Sequence, residues 1–85
     1  MPVICRFFGI IIFMNWNDHN PPHFHAKYQD HEVLIDIESG NITGKMPRRA
    51  LEMIQEWRQD NIKNLLEDWN LAAEHKQLKD LSPLE

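Results

Sequence analysis

The sequence is poor in cysteine and has no long apolar run, and each absence excludes a class of structure. Its 85 residues include a single cysteine, Cys5, which excludes an internal disulfide and a metal site built on several cysteines. The longest apolar run, residues 7–14, is much shorter than the roughly 20 residues that a membrane-spanning helix needs. Arg6 is the one basic residue before that run, and no small-residue cleavage site follows the run. We therefore expect a cytoplasmic protein with no signal peptide and no membrane partner.

An excess of positive charge is also lacking. Residues 1–49 contain five basic and five acidic residues, whereas residues 50–85 contain four and eight, so the second half carries the whole net charge of −4. This balance excludes binding to nucleic acid through a uniformly basic surface. A local basic site in the neutral first half stays open.

The composition that is present, 42% hydrophobic and 26% charged residues, is typical of a soluble globular chain. We expect residues 1–85 to form a single domain. Residues 10–16 are β-branched and aromatic, and residues 23–28 and 32–38 alternate between apolar and polar side chains, which favours strands. A turn at residues 39–41 then leads into a short strand near Ile42.

The hydrophobic period changes from that of a strand to that of a helix after residue 44. Pro47 suits the first position of a helix, and apolar side chains recur with helical spacing from Ala50 through Trp57 to Trp69. A stripe of this kind normally packs against the rest of the fold, so we expect Trp57 and Trp69 in the core. The apolar stripe rotates along this segment, which predicts a bend at residues 58–61 with Asp60 capping a second helix. The fold class is therefore α+β: a small antiparallel sheet of three to four strands, followed by one bent helix or two consecutive helices packed on one face.

The segment NDHNPPHFHA, residues 17–26, is the most unusual part of the chain because it contains three histidines within ten residues. On a strand, His23 and His25 point to the same face with their Cα atoms about 6–7 Å apart. His19 lies four residues earlier, across a turn that two prolines stiffen, and Asp18 adds a carboxylate. Three histidines and an acid suit a divalent transition metal such as zinc or nickel, or iron. The predicted metal ligands are Asp18, His19, His23 and His25.

Two other interpretations of this cluster stay open. The three histidines at positions 19, 23 and 25 are also candidate catalytic residues for metal-free acid–base chemistry or for phosphate binding. Alternatively, they have a purely structural role, because histidines are common on the solvent face of short strands and His-x-His is not a specific signature.

A second candidate site consists of Lys45, Arg48 and Arg49. If the helix begins at Pro47, the amides of the two arginines are unsatisfied and point outward, which predicts phosphate binding at the helix N-terminus. The alternative is a surface ion pair between Arg48 and Glu52, four residues on. If the sheet brings the basic residues close to the histidines, the combined site has the groups that a metal-free ribonuclease would use.

The sequence resembles a family of small bacterial proteins known only as a domain of unknown function. The resemblance runs from about residue 4 to residue 84 and is carried by CRFFGIIIFMNWNDHNPPHFHA, EVLIDIE, GKMPRRALEMIQEW and LLEDWNLA, with the run from Asp18 to His25 as its most specific part. Members are often encoded beside a second small protein, some versions of which carry a helix-turn-helix. The resemblance therefore implies a toxin–antitoxin-like pair in which this chain is the toxin-like member.

Three functional hypotheses follow. The first is a toxin-like protein that acts on RNA through its histidine cluster and is held in check by a small cognate protein. The second is a non-enzymatic interaction module with a structural histidine or metal site, whose acidic helices, residues 50–75, bind a partner. The third is a small metalloenzyme. All three are compatible with a homo-oligomer.

Overall fold

A five-stranded antiparallel sheet followed by one long helix makes up the fold in a computed structural model that describes residues 1–85. The strands lie in sequence order across the sheet. They are β1 (Val3–Phe7), β2 (Ile10–Phe13), β3 (His23–Tyr28), β4 (His31–Asp36) and β5 (Ile42–Gly44), and the helix is α1 (Arg48–Ala73). The α+β class is confirmed, whereas the expected number of three to four strands is too small.

The strand that the sequence analysis did not predict is β1. It pairs with β2 across a tight turn at Phe8 and Gly9, both of which have positive φ values, 48° and 80°. Two consecutive residues with positive φ are the signature of the turn that best matches the twist of a hairpin. Because the turn lies inside an apolar stretch, without the usual Asn-Gly or Asp-Gly pair, it is hard to recognise in the sequence.

The sheet has two different faces. One face of the sheet forms the core together with α1. It carries every second residue of β2, β3 and β4, such as the paired residues Ile12, Ala26 and Val33. The opposite face, which we call the outer face, carries His25 at the centre of β3 with Phe13 and Leu34 as its paired neighbours. The predicted alternation over residues 23–28 is therefore confirmed.

Helix α1 begins one residue later than expected. Pro47 has φ −53° and ψ 141°, so it is the cap residue and Arg48 is the first helical position. The expected bend is present within a single helix: Asn61 has non-helical angles and its side-chain amide donates to the Trp57 carbonyl oxygen at 2.8 Å. The bend thus forms at Asn61 without the predicted cap at Asp60. No helix combines the length and the apolar character that crossing a bilayer requires.

The C-terminal segment, residues 76–85, has no regular secondary structure but is attached to the domain at three points. The Leu81 amide donates to the Ile4 carbonyl oxygen of β1 at 2.8 Å. The Trp57 indole donates to the Ser82 carbonyl oxygen at 2.8 Å. The Lys79 amide donates to the buried carboxylate of Asp68 at 2.8 Å, so this segment closes the free edge of β1.

Candidate metal centre

The histidine cluster forms where the loop of residues 14–22 enters β3, at the edge of the outer face. Strand geometry directs His23 and His25 to this face, and the loop returns Asp18 to them. One donor atom from each of Asp18, His23 and His25 lies within 4.8 Å of the other two. The structure therefore brings together three of the four residues predicted as metal ligands.

One carboxylate oxygen of Asp18 is shared between the two histidines. Asp18 Oδ2 lies 2.9 Å from His23 Nε2 and 3.6 Å from His25 Nε2. Two ligand atoms of one tetrahedral zinc ion, each bonded at about 2.0–2.1 Å, are roughly 3.4 Å apart. These two separations fall on either side of that value, and all three donor atoms lie within 4.8 Å of one another.

The ring of His23 has an acceptor on each side. Its Nδ1 lies 2.8 Å from the Pro21 carbonyl oxygen, which can only accept, so Nδ1 carries a proton. Its Nε2 faces the Asp18 carboxylate, which also only accepts when ionised. A neutral imidazole has one proton, so the contact between Nε2 and Asp18 requires either a second proton or a cation. Only 4% of the His23 side chain is exposed, which makes an uncompensated repulsive contact costly.

The ring of His25 is held in a similar way. Its Nε2 lies between two possible partners, 3.4 Å from the side-chain amide nitrogen of Asn15 and 3.6 Å from Asp18 Oδ2. This nitrogen has a single lone pair, so binding a cation there requires that the contact with Asn15 be given up. Its Nδ1 lies 3.8 Å from a carboxylate oxygen of Glu32 on the neighbouring strand. That distance is too long for a hydrogen bond, but the carboxylate lies on the side of the ring where metal-binding histidines usually have the partner that selects their tautomer.

Asp18 is ionised at neutral pH. Burial by itself raises the pKa of Asp18. In the metal-free form the hydrogen bonds from the His19 amide and the His23 ring, the positive charge that His23 can carry, and the hydrogen bond from the His25 ring outweigh this effect. The net pKa of Asp18 therefore lies below its ordinary value. The carboxylate is thus available in the charged form that a cation prefers.

His19 is close to the cluster but not part of it. Its Nδ1 lies 3.1 Å from Asp18 Oδ1, the oxygen that points away from the other two histidines, and 93% of its side chain is exposed. The turn that was expected to return His19 as a third histidine ligand instead directs it toward solvent. A catalytic role for His19 stays a prediction, with the residue at the rim of the site.

The basic cluster lies elsewhere on the molecule. Arg48 and Arg49 are exposed and face Glu52 at 3.7 and 3.9 Å, as the ion-pair alternative predicts. Roughly 30 Å of helix axis separate Arg48 from Trp69, the helical residue whose ring lies 5.0 Å from that of His23. Phosphate binding by Lys45 and the two arginines stays a prediction, at a place apart from the histidines.

Aromatic side chains enclose the inner side of the cluster, and the sequence analysis did not assign them to it. Phe13 stacks on His25 with ring centroids 4.9 Å apart and planes 13° apart, and Trp69 packs against His23. Phe13 was detectable in principle, because the register of the β2–β3 pair places it opposite His25. Trp69 was predicted only as a core residue, since no local pattern relates it to a strand 46 positions earlier.

Residues 9–70, about three quarters of the chain, match the protein family described as Domain of unknown function (DUF4160). The chain belongs to this family. The DUF4160 match includes all three residues of the cluster as well as Phe13 and Trp69, whereas β1 and the C-terminal segment lie outside it. Neither the curated proteins nor the solved structures contain a match.

Proposed function

We propose that this DUF4160 domain is a small metalloenzyme that holds one divalent transition-metal ion through Asp18, His23 and His25. The observation that carries the proposal is the convergence of these three donor groups, on a loop and a strand, to within 4.8 Å of one another. Two imidazoles and one carboxylate are the ligand set of zinc hydrolases and of non-haem iron enzymes. Zinc is the first candidate ion, followed by nickel and iron.

The hydrogen bonds around the histidines favour a cation over a purely structural role. The Pro21 carbonyl oxygen holds the proton of His23 on Nδ1, so in the neutral ring the lone pair of Nε2 faces the Asp18 carboxylate. Two acceptor atoms are thereby directed at each other, an arrangement that a positive charge between them stabilises. A proton on His23 Nε2 is the metal-free way to provide that charge, and the experiment below separates the two.

A site with three protein ligands leaves coordination positions open, which is the feature that distinguishes catalytic from structural zinc sites. A bound ion at such a position supplies a Lewis acid and lowers the pKa of a coordinated water. On the inner side, the aromatic rings of Phe13 and Trp69 pack against the two histidines and shield them from water. On the outer side the chain provides His19, which is exposed next to Asp18 and able to exchange protons with solvent or substrate.

The biological setting that we propose is a toxin-like protein that acts on RNA and is restrained by a small protein partner. The sequence resemblance supports this setting, and the metal centre would supply its activity. Induced expression of the wild-type chain should slow bacterial growth, and His25→Ala should abolish that effect while the protein accumulates to the same level. Equal growth inhibition by both would show that the metal centre is not responsible.

The metal proposal is tested by elemental analysis of protein without an affinity tag. Wild-type protein dialysed against zinc should retain about one ion per chain, and His25→Ala should retain much less, because loss of one of three ligands removes a large part of the affinity. His75→Asn is the matched control: it removes an exposed histidine outside the cluster, and asparagine tolerates its positive φ of 56°. Wild-type protein that retains no zinc, nickel or iron would contradict the proposal and leave the protonated His23–Asp18 pair.

A further inference from the structure

One of the few large apolar side chains left in solvent lies on the loop that forms the metal centre. Met1 is at the terminus, Phe8 is at the tip of a hairpin and Ile42 is on the edge strand β5, whereas Trp16 is two residues before Asp18 and is 48% exposed. Two residues of chain span at most about 7 Å. The backbone of Trp16 therefore lies within about 7 Å of the backbone of Asp18, a residue of the cluster.

The backbone on both sides of Trp16 is anchored. The side chain of Asn15 contacts His25 at 3.4 Å, and the amide of Asn17 donates to the Ala72 carbonyl oxygen in the last turn of α1 at 3.2 Å. The indole ring meets the ring of His75 edge-to-face, with centroids 6.0 Å apart. An exposed aromatic ring that is held in place binds a ligand at a lower entropic cost than a mobile one.

Exposed polar groups around Trp16 complement an anion. His75, just after the end of α1, contacts the indole, and its neighbour Glu74 is an exposed acid. His19 lies three positions after Trp16 on the same loop, beside Asp18. A divalent ion held by one carboxylate and two neutral imidazoles has a net charge of +1. A phosphate bound at the ion would thus lie on the loop that also carries Trp16 and the exposed imidazole of His19.

We propose that Trp16 is a stacking platform for the substrate of the metal centre, and that this substrate combines a phosphate with a planar heteroaromatic ring, as a nucleotide does. The phosphate would bind at the metal and the ring would lie against the exposed part of the indole. Aromatic side chains bind unpaired bases in this way with little dependence on base identity. The inference rests on the proposed metal centre and adds to it the class of substrate.

The test compares two phosphates that differ only in the ring. Binding of adenosine 5′-monophosphate and of ribose 5-phosphate to zinc-loaded protein is measured by isothermal titration calorimetry for the wild type, Trp16→Ala and Trp16→Phe. Trp16→Ala should weaken binding of the nucleotide by about 5- to 150-fold and leave that of ribose 5-phosphate unchanged. Trp16→Phe should restore a large part of the lost affinity, because phenylalanine also offers a ring face.

The zinc content of each sample, measured in parallel, separates the two proposals. If all variants bind zinc and Trp16→Ala does not change nucleotide affinity, the platform is wrong and the metal centre stands. Equal weakening of both phosphates would also refute the platform, because Trp16 would then act on the fold of the loop. If the wild-type protein is a dimer that Trp16→Ala converts to a monomer, the indole is covered by a second copy and the platform is again refuted.

Discussion

Replacing Asp18 by asparagine tests whether the 2.9 Å contact between Asp18 and His23 belongs to a metal site. The substitution keeps the shape of the side chain and changes one carboxylate oxygen to an amide nitrogen. Without metal, that nitrogen can donate to His23 Nε2 while Nδ1 still faces the Pro21 carbonyl oxygen. The contact should therefore survive without metal as a neutral hydrogen bond, whereas the metal-bound form loses its only charged ligand.

The expected energies differ between the two forms. A hydrogen bond to a charged group is worth about 1 kcal/mol more than a neutral one, so the variant without metal should be less stable by about 1 kcal/mol. At a zinc concentration of about 100 times the dissociation constant, the wild type gains roughly 2.7 kcal/mol. For a domain of this size, each kcal/mol shifts the melting temperature by about 4–8 °C, so zinc should raise that of the wild type by roughly 10–20 °C.

Thermal unfolding followed by circular dichroism provides the measurement, with each protein melted in chelator and in zinc. The substitution should cost a few degrees in chelator and remove most of the zinc-dependent increase, whereas His75→Asn should behave as the wild type does. Because the native pKa of Asp18 is lowered, the carboxylate stabilises the fold above the pKa of an unfolded aspartate, about 3.9. That advantage over the variant is lost as pH falls below about 4. Equal stabilisation of both proteins by zinc would refute Asp18 as a ligand.

Two further predictions concern stability outside the site. Gly40 and Gly9 both have φ near +80°, but a Cβ on Gly40 would lie 2.7 Å from the guanidinium of buried Arg58, whereas one on Gly9 would make only ordinary contacts. Gly40→Ala should thus lower the free energy of unfolding by about 2 kcal/mol and Gly9→Ala by about 1 kcal/mol in urea titrations; equal losses would rule out the clash. Burial raises the pKa of Asp68, against the opposing effects of the Lys79 amide and charge, and one oxygen of its carboxylate has no partner. Protonated Asp68 therefore stabilises the fold most, and the free energy of unfolding of the wild type falls as pH rises above about 4. Asp68→Asn should become more stable relative to the wild type between pH 4 and pH 7, and a constant difference across that range would refute this.

The parts of the fold that the sequence predicts well are those that follow from local periodicity. Alternation over residues 23–28 predicted a strand with its apolar side chains on one face, and Phe24 and Ala26 of that face lie in the core. Helical spacing placed Trp57 and Trp69 in the core, as observed. The predictions that were wrong concern the start of the helix and the first hairpin, where the local sequence is compatible with more than one conformation. Pro47 is favoured at the first helical position, yet here it is the cap, and the apolar run of residues 7–14 conceals the hairpin turn at Phe8 and Gly9.

The candidate site shows the same division. His23 and His25 share a face because successive strand residues alternate, so their proximity needs no tertiary information. Asp18 joins them from the loop of residues 14–22, only five positions before His23. His19 was grouped with them on the same argument of sequence distance, but the loop backbone directs its side chain outward, and sequence spacing alone does not specify the conformation of a turn.

By itself, the sequence determined the α+β class, the strand that presents two imidazoles on one face, and the loop that supplies a carboxylate. Only the tertiary structure decided that Trp69 packs against His23, that Phe13 covers His25, and that the arginines of the α1 N-terminus lie apart from the cluster. The physical reason is that backbone geometry sets which neighbouring side chains share a face. Contacts between distant residues depend instead on strand register and on how the whole helix packs to bury the apolar face of the sheet.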